Sequence, residues 1–234
     1  MMLTLAGSAT ETQKFSSAVT RTSLIELFTS EGCSSCPPAE AWLGTLREHP
    51  GLWRDFVPVA FHVVYWDRLG WKDRFASQAA TEREYAHAAA WGSRNVYTPC
   101  FVQDGAEWRE NFGRTAPKAS KESAGVLVVD YEPDGVCRVT FVPEGQPARA
   151  GYEISVVQLG GGIVSAVRDG ENEGRTLRHE FVALSLQQEK LIDGRAELTL
   201  TPVNISGVTR RGLAVWVTRR GELAPVQATG GWLR

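Results

Sequence analysis

Two cysteines separated by two residues lie between an apolar run and a helical pattern near the start of the chain. Leu24–Thr29 predicts a buried strand, and Pro37–Glu48 predicts a helix that opens with two prolines. Cys33 and Cys36 are therefore expected at a strand-to-helix turn. The unpaired N–H groups of the helix start favour a thiolate there. This turn requires a fold that places at least one strand directly before a helix.

A Cys-x-x-Cys pair is compatible with a redox dithiol, half of a zinc site or a structural disulfide. Zinc usually takes four ligands, often from a second Cys-x-x-Cys or a histidine pair. Here Cys100 and Cys137 are single, and the histidines are scattered at His49, His62, His87 and His179. The pattern favours the redox dithiol and leaves the other two interpretations open.

The bulk composition excludes some functions. The chain has 234 residues, is 43% hydrophobic and carries a formal net charge of −2, which is typical of a globular protein. It has no block of basic residues, so nucleic acid is not an expected partner. It also has no apolar run of about 18 residues, so no transmembrane segment is expected. Residues 1–22 are expected to be a disordered or signal-derived tail, although they contain no convincing signal peptide.

The first half alternates strand and helix patterns. After the first strand and helix come a second strand, a second helix, a hairpin and a short helix, at Phe56–Tyr65, Ser77–Trp91, Pro99–Glu110 and Ala116–Ser123. Ser77 is a possible helix N-cap, and Asp104-Gly105 is a typical hairpin turn. This order predicts an α/β, thioredoxin-like domain over residues 23–124.

The second half contains short apolar runs divided by turn residues and no long helical stretch. Eight strands are expected, at Val126–Tyr131, Val136–Val142, Tyr152–Leu159, Val164–Arg168, Phe181–Leu186, Ala196–Leu200, Leu213–Thr218 and Leu223–Gln227. Residues 125–234 are therefore predicted to form an all-β, sandwich-like domain.

Four segments resemble an uncharacterised family of bacterial secreted proteins with a thioredoxin-like fold, a domain of unknown function. They are Glu26–Glu40, Phe61–Asp73, Val96–Pro99 and Gly170–His179. The resemblance implies a periplasmic or secreted location. It also implies that Thr98-Pro99 is a cis-proline turn facing the dithiol and touching the substrate.

One residue departs from the pattern of that family. Its members usually have glutamine after the Thr-Pro pair, whereas this chain has Cys100. Cys100 is either a third thiol near Cys33 or a small buried residue on the following strand.

The motif also assigns roles to the two cysteines. Cys33, expected to be the more exposed, would attack a substrate disulfide, and Cys36 would resolve the mixed disulfide. The charge of Glu31 would oppose the thiolate unless its side chain points away. No cofactor beyond the Cys33–Cys36 disulfide is expected, and the expected partner is a protein or small-molecule thiol or disulfide.

Two further segments have both a functional and a structural interpretation. Tyr65 ends the predicted second strand, and Trp66 and Asp67 follow it. These residues could form a substrate-binding rim at the dithiol end of the sheet, or simply fold the loop. His62 is expected to be a satisfied core histidine. The polar stretch Gly170–His179 has two interpretations, a site that binds an anion or a partner and a long hairpin loop, and the hairpin loop is preferred.

The preferred function is thiol–disulfide exchange through Cys33 and Cys36. One alternative is a non-catalytic binding module in which the disulfide is structural. Another is a metal-binding or metallochaperone site that uses Cys33, Cys36 and Cys100.

Overall fold

The computed structural model describes residues 11–109, 115–145 and 151–234. These residues form fourteen strands and two α-helices. In chain order they are β1 (Gln13–Ser16), β2 (Ser23–Thr29), α1 (Pro37–Thr45), β3 (Phe56–His62), α2 (Gln78–Ala90), β4 (Cys100–Gln103), β5 (Ala106–Glu107), β6 (Gly125–Tyr131), β7 (Val136–Pro143), β8 (Tyr152–Gly161), β9 (Ile163–Ala166), β10 (Thr176–His179), β11 (Val182–Leu191), β12 (Arg195–Thr199), β13 (Arg210–Arg219) and β14 (Pro225–Trp232).

Strands from both halves of the chain form one eight-stranded sheet, in the order β14-β13-β8-β11-β3-β2-β4-β5. The two halves join where β11 runs parallel to β3, with Val182 opposite Ala60. At this junction the backbone N–H of Ala60 donates to the carbonyl oxygen of Phe181 at 2.8 Å.

The predicted fold, an α/β thioredoxin-like N-terminal domain followed by an all-β sandwich-like domain, is therefore wrong. The structure is 45% strand and 14% helix, with several sheets distributed along the chain. The physical reason lies in β3, which is buried along its whole length and needs a hydrogen-bonded strand on both edges. β2 supplies one edge, and the second half of the chain supplies the other.

Several local predictions are confirmed. Ser77 caps α2, because its side-chain oxygen accepts a hydrogen bond from the N–H of Ala80 at 3.1 Å. Asp104 and Gly105 have φ angles of 51° and 83°, as a two-residue hairpin turn requires. The short helix predicted over residues 116–123 is wrong. This segment bonds instead to residues 19–21, with the N–H of Arg21 donating to the carbonyl of Glu122 at 2.8 Å.

The two helices cover opposite faces of β2 and β3. α1 packs on the face that carries Ile25, Leu27 and Ala60. α2 packs on the face that carries Phe28 and Phe61. Because strand residues alternate between faces, this arrangement buries both faces of the two strands and holds the start of α1 against the end of β2.

A second, four-stranded sheet has the order β1-β6-β7-β12 and shares a buried apolar cluster with β8 and β13. Its edge strand β1 comes from the segment 1–22 that was predicted to be a tail, of which residues 1–10 lie outside the described part. Strands β9 and β10 form a separate hairpin, and β10 lies beside α1. Within the described ranges, neither helix has the length and apolar character needed to span a membrane.

Candidate functional site

Cys33 and Cys36 form a disulfide at the N-terminal end of α1. Their Cα atoms are 5.4 Å apart, and Cys36 is the N-cap residue of the helix. Both cysteines are 0% exposed, whereas Ser34 and Ser35 between them are exposed. The structure thus brings the two predicted residues together. The expectation that Cys33 is the more exposed cysteine is wrong.

The loop between β9 and β10 is hydrogen-bonded to the turn that carries the disulfide. The side-chain amide of Asn172 donates to the carbonyl oxygens of Glu31 at 2.9 Å and Cys33 at 2.8 Å. The N–H of Ser34 donates to a carboxylate oxygen of Glu171 at 3.0 Å. The side chain of Asn172 is itself held by Arg175, which donates to its amide oxygen at 2.7 Å. We call residues 170–174 the cover loop, since its polar side chains fix the turn that carries the disulfide.

The Thr98-Pro99 turn before β4 lies against the turn that carries the disulfide. The Thr98-Pro99 peptide bond is cis, and the carbonyl oxygen of Thr98 lies 3.8 Å from Cys33 Sγ and 3.5 Å from Ser35 Oγ. The indole N–H of Trp66 donates to the hydroxyl of Thr98 at 2.7 Å. Thr98 therefore lies directly against the turn that carries the disulfide, and Trp66 reaches that turn through Thr98.

Cys100, another predicted residue, lines a separate cavity on the α2 side, and the predicted residue Tyr65 contacts Glu84 in the wall of that cavity. Cys100, Glu84 and Tyr97 line a cavity of about 320 Å³, and the hydroxyl of Tyr65 donates to Glu84 at 3.2 Å. Burial raises the pKa of the Cys100 thiol to about 12 and that of Glu84 to about 7. Cys100 is thus a buried, protonated thiol at neutral pH.

The remaining predicted residue, Asp67, holds its own loop. It lies in the 3₁₀ turn Val64–Leu69, and its carboxylate accepts a hydrogen bond from the N–H of Asp73 at 3.2 Å. This contact matches the structural interpretation of the segment.

A buried ionic cluster adjoins the disulfide, and we call Glu31, Glu40, His62, Asp73 and His179 the β2-end cluster. His179 lies between two carboxylates, with its Nδ1 against Glu40 and its Nε2 3.1 Å from Glu31. His62 Nδ1 lies 2.6 Å from Asp73. None of the five residues is more than 6% exposed, so these charges interact with little screening by water.

The charges in this cluster stabilise one another. Burial alone would lower the pKa of His179, but Glu40 and Glu31 outweigh it and raise that pKa to about 10. Burial would raise the pKa of Glu31, but His179 outweighs it and lowers that pKa. The carboxylate of Glu31 also accepts a hydrogen bond from the indole of Trp71 at 2.7 Å. The Glu31 carboxylate is therefore bound by His179 and Trp71.

A groove runs between α1 and β10 beside this cluster. Its volume is about 670 Å³, and Pro37, Glu40, Arg47, Arg175 and Arg178 are among the residues that line it. The groove gives solvent and small ligands a route to the edge of the cluster at Glu40.

Sequence reasoning missed the roles of Glu40, Asp73, Asn172 and His179. The last two lie in the segment that was expected to be a plain hairpin loop, and Asn172 is 139 residues away from Cys33 in the sequence. The resemblance of Gly170–His179 to a family motif was the one signal that could have pointed to them.

Comparison with known proteins gives a family and a fold. A family model described as "Protein of unknown function (DUF1223)" matches residues 24–218. A crystal structure of an Agrobacterium tumefaciens protein from a structural genomics programme has a TM-score of 0.63 and 22% identity, covering 90% of this chain and 93% of that one.

HBP35 of Porphyromonas gingivalis has a TM-score of 0.57 and 15% identity, covering 92% of this chain and 76% of that one. At these identities the two structures show a shared fold. A search of curated proteins found no significant match.

Proposed function

The chain belongs to the DUF1223 family of proteins of unknown function, and we propose that it carries out thiol–disulfide exchange through Cys33 and Cys36. The substrate is a protein or small-molecule thiol or disulfide. Because cytosolic thiols keep such pairs reduced, we place the protein in the periplasm or outside the cell.

The polar surroundings of the disulfide are the observation that supports this proposal best. A purely structural disulfide is well served by apolar packing, but here the turn meets the Thr98 carbonyl, Asn172 and Glu171. Ser34 and Ser35 face solvent between the cysteines. The cover loop is held to this turn by three hydrogen bonds, so its displacement costs a few hydrogen bonds.

The exchange is a two-electron reaction. A substrate thiolate attacks Cys33 Sγ and forms a mixed disulfide, and the electron pair of the broken bond leaves on Cys36 as a thiolate. The helix start next to Cys36 favours that anion. A second substrate thiolate then attacks the substrate sulfur and releases Cys33. The substrate dithiol is oxidised to a disulfide, while the protein disulfide is reduced and takes up the two protons. The reverse sequence reduces a substrate disulfide.

The complete burial of both sulfurs favours a second candidate. In that candidate the disulfide only fixes the turn, and the protein is a binding module. The two candidates differ in whether the sulfurs react while the chain is folded.

A pair of matched variants separates the candidates. Folded Cys36→Ser and Cys33→Ser proteins are incubated with glutathione disulfide, and the intact mass is followed over time. Exchange predicts a stable mixed disulfide on Cys33 in Cys36→Ser, formed at least about tenfold faster than any labelling of wild-type protein. Wild-type protein is the control, since it contributes only the buried thiols Cys100 and Cys137. Equal, negligible labelling of all three proteins would support the binding module.

A further inference from the structure

We propose that Glu40, His62 and His179 bind a divalent transition-metal ion, with Zn²⁺ or Fe²⁺ as the class of occupant. This site is separate from the thiol chemistry and uses none of the cysteines. Two imidazoles and one carboxylate form a ligand set that suits these ions.

The three side chains converge in the protein interior. One ligand atom from each lies within 4.8 Å of those from the other two, and all three residues are buried. The rings of His62 and His179 are 5.3 Å apart between centroids. An ion bound between them would need only small side-chain movements to reach coordination distances of roughly 2 Å.

His62 has one ring nitrogen that is buried and without a hydrogen-bond partner among the described residues. Its Nδ1 is occupied by Asp73 at 2.6 Å. Its Nε2 is buried and has no hydrogen-bond partner in the described part of the chain. An unpaired buried polar atom is costly, and a metal ion would satisfy it.

The surrounding residues orient the ligands as they do in metal sites. A metal-binding histidine commonly presents its second ring nitrogen to a carboxylate. Asp73 does this for His62, and Glu31 does it for His179 through Nε2 at 3.1 Å. This leaves His179 Nδ1 directed at Glu40. The hydroxyl of Thr29 donates to the other oxygen of Glu40 at 2.7 Å and fixes that carboxylate.

The charge of the β2-end cluster and a route from solvent also support a metal site. Glu31, Glu40 and Asp73 are three buried carboxylates in one cluster, and a divalent cation would compensate most of their charge. Glu40 lines the groove of about 670 Å³ between α1 and β10, which gives an ion a path from solvent. With three protein ligands, a fourth position stays available for water or a small ligand.

The test uses full-length protein with its disulfide intact, so that Cys33 and Cys36 cannot act as ligands. The protein is stripped with a chelator, dialysed and titrated separately with Zn²⁺ and Co²⁺. Calorimetry and the visible absorption of Co²⁺ report binding, and X-ray absorption of the zinc-loaded protein identifies the ligand atoms. We expect about one ion per chain, bound through nitrogen and oxygen atoms.

The variants His62→Gln and Glu40→Gln are each expected to weaken binding by at least about 100-fold, and Asp73→Asn by about tenfold. The matched control is His87→Gln. His87 is also buried, lies 3.2 Å from a carboxylate of Glu26 and has an unpartnered ring nitrogen within the described residues. It lies on the α2 side, outside the proposed site, and its variant should bind as wild type does.

Absence of binding to wild-type protein would overturn the proposal, as would sulfur ligands in the absorption spectrum. Equal binding by His62→Gln and wild type would also overturn it. If His62→Gln fails to fold, the ligand identity and stoichiometry measured on wild-type protein decide the question. The outcome is independent of the glutathione experiment, because that experiment reads only the cysteines.

Discussion

Two buried ionic clusters lie on either side of β2, and they are built differently. On the α2 side, Glu26 pairs with Arg83 and with His87, whose Nε2 lies 3.2 Å away. Arg83 and His87 are four residues apart on one helix face, and Arg83 also stacks 4.9 Å from the ring of Trp216. The β2-end cluster instead collects its members from five segments of the chain.

The difference lies in what neutralises the carboxylates. Glu26 has an arginine, which keeps its charge at every pH that a folded protein meets. The β2-end cluster has three carboxylates and only histidines as cations. The first arrangement fixes a helix to a strand. The second can exchange its cations for a metal ion and adjoins the disulfide, so we assign function to this side of the sheet.

The largest loss of stability should come from breaking the Glu26–Arg83 ion pair on the α2 side. Arg83→Met keeps an unbranched apolar stem but removes the guanidinium, which leaves the buried charge of Glu26 with His87 alone. We expect the free energy of unfolding to fall by about 3–5 kcal/mol, measured by urea denaturation.

The control for this variant is Arg54→Met. Arg54 is a surface residue paired with Asp55, and its loss should cost less than about 1 kcal/mol. A cost for Arg83→Met as small as that of the control would show that the α2-side cluster does not anchor the helix. Reactivity of the disulfide and metal binding should not change in either variant.

The free energy of unfolding should depend on pH through the ionisation of Glu26. Burial alone would raise the pKa of Glu26, but Arg83 and His87 outweigh it and lower it from 4.5 to about 2. A carboxylate whose pKa is lower in the folded state stabilises the fold above pH 4.5, and this stabilisation is lost as the pH falls toward 2.

We therefore compare the free energy of unfolding of wild type and Glu26→Gln between pH 5 and pH 2. The advantage of wild type should shrink by about 3 kcal/mol over this range. Parallel curves for the two proteins would mean that Glu26 has the same pKa in the folded and unfolded chain.

A smaller effect is expected from loosening the cover loop. Asn172→Ala leaves the carbonyl oxygens of Glu31 and Cys33 without the donor that now satisfies them. We expect a loss of about 1–3 kcal/mol in the free energy of unfolding and about tenfold faster reduction of the disulfide by dithiothreitol.

Asn204→Ala is the control for the cover loop. Asn204 makes one long side-chain hydrogen bond, from Arg211 at 3.4 Å, and its loss should change neither quantity. An unchanged reduction rate in Asn172→Ala would show that the cover loop does not control access to the sulfurs.

Local features of the fold could be predicted because their causes are local. The N-cap at Ser77, the turn at Asp104-Gly105 and the strand before Cys33 depend on residues within a few positions of each other. The pairing of β3 with β11 could not be predicted in this way. An apolar strand such as Phe56–His62 indicates that it has two neighbours, but it does not specify which later strand is the second.

The candidate site also has a part that the sequence predicts and a part that it does not. The Cys-x-x-Cys spacing and the Thr98-Pro99 turn are sequence motifs; the first forms the disulfide and the second lies against it. The contact of His179 with Glu40 spans 139 residues, and neither residue lies in a recognisable metal-binding or catalytic motif. Their meeting depends on the position of β10 beside α1, which no local pattern specifies.

The central claim is that the Cys33–Cys36 disulfide reacts while the protein is folded, and its reduction potential tests this directly. The protein is equilibrated in thiol–disulfide buffers of known potential, the free thiols are alkylated and counted by mass, and circular dichroism follows the fold. Exchange predicts reversible reduction of the folded chain at a potential between about −270 and −120 mV. A disulfide that stays oxidised below about −300 mV, or that is reduced only as the chain unfolds, would contradict the account.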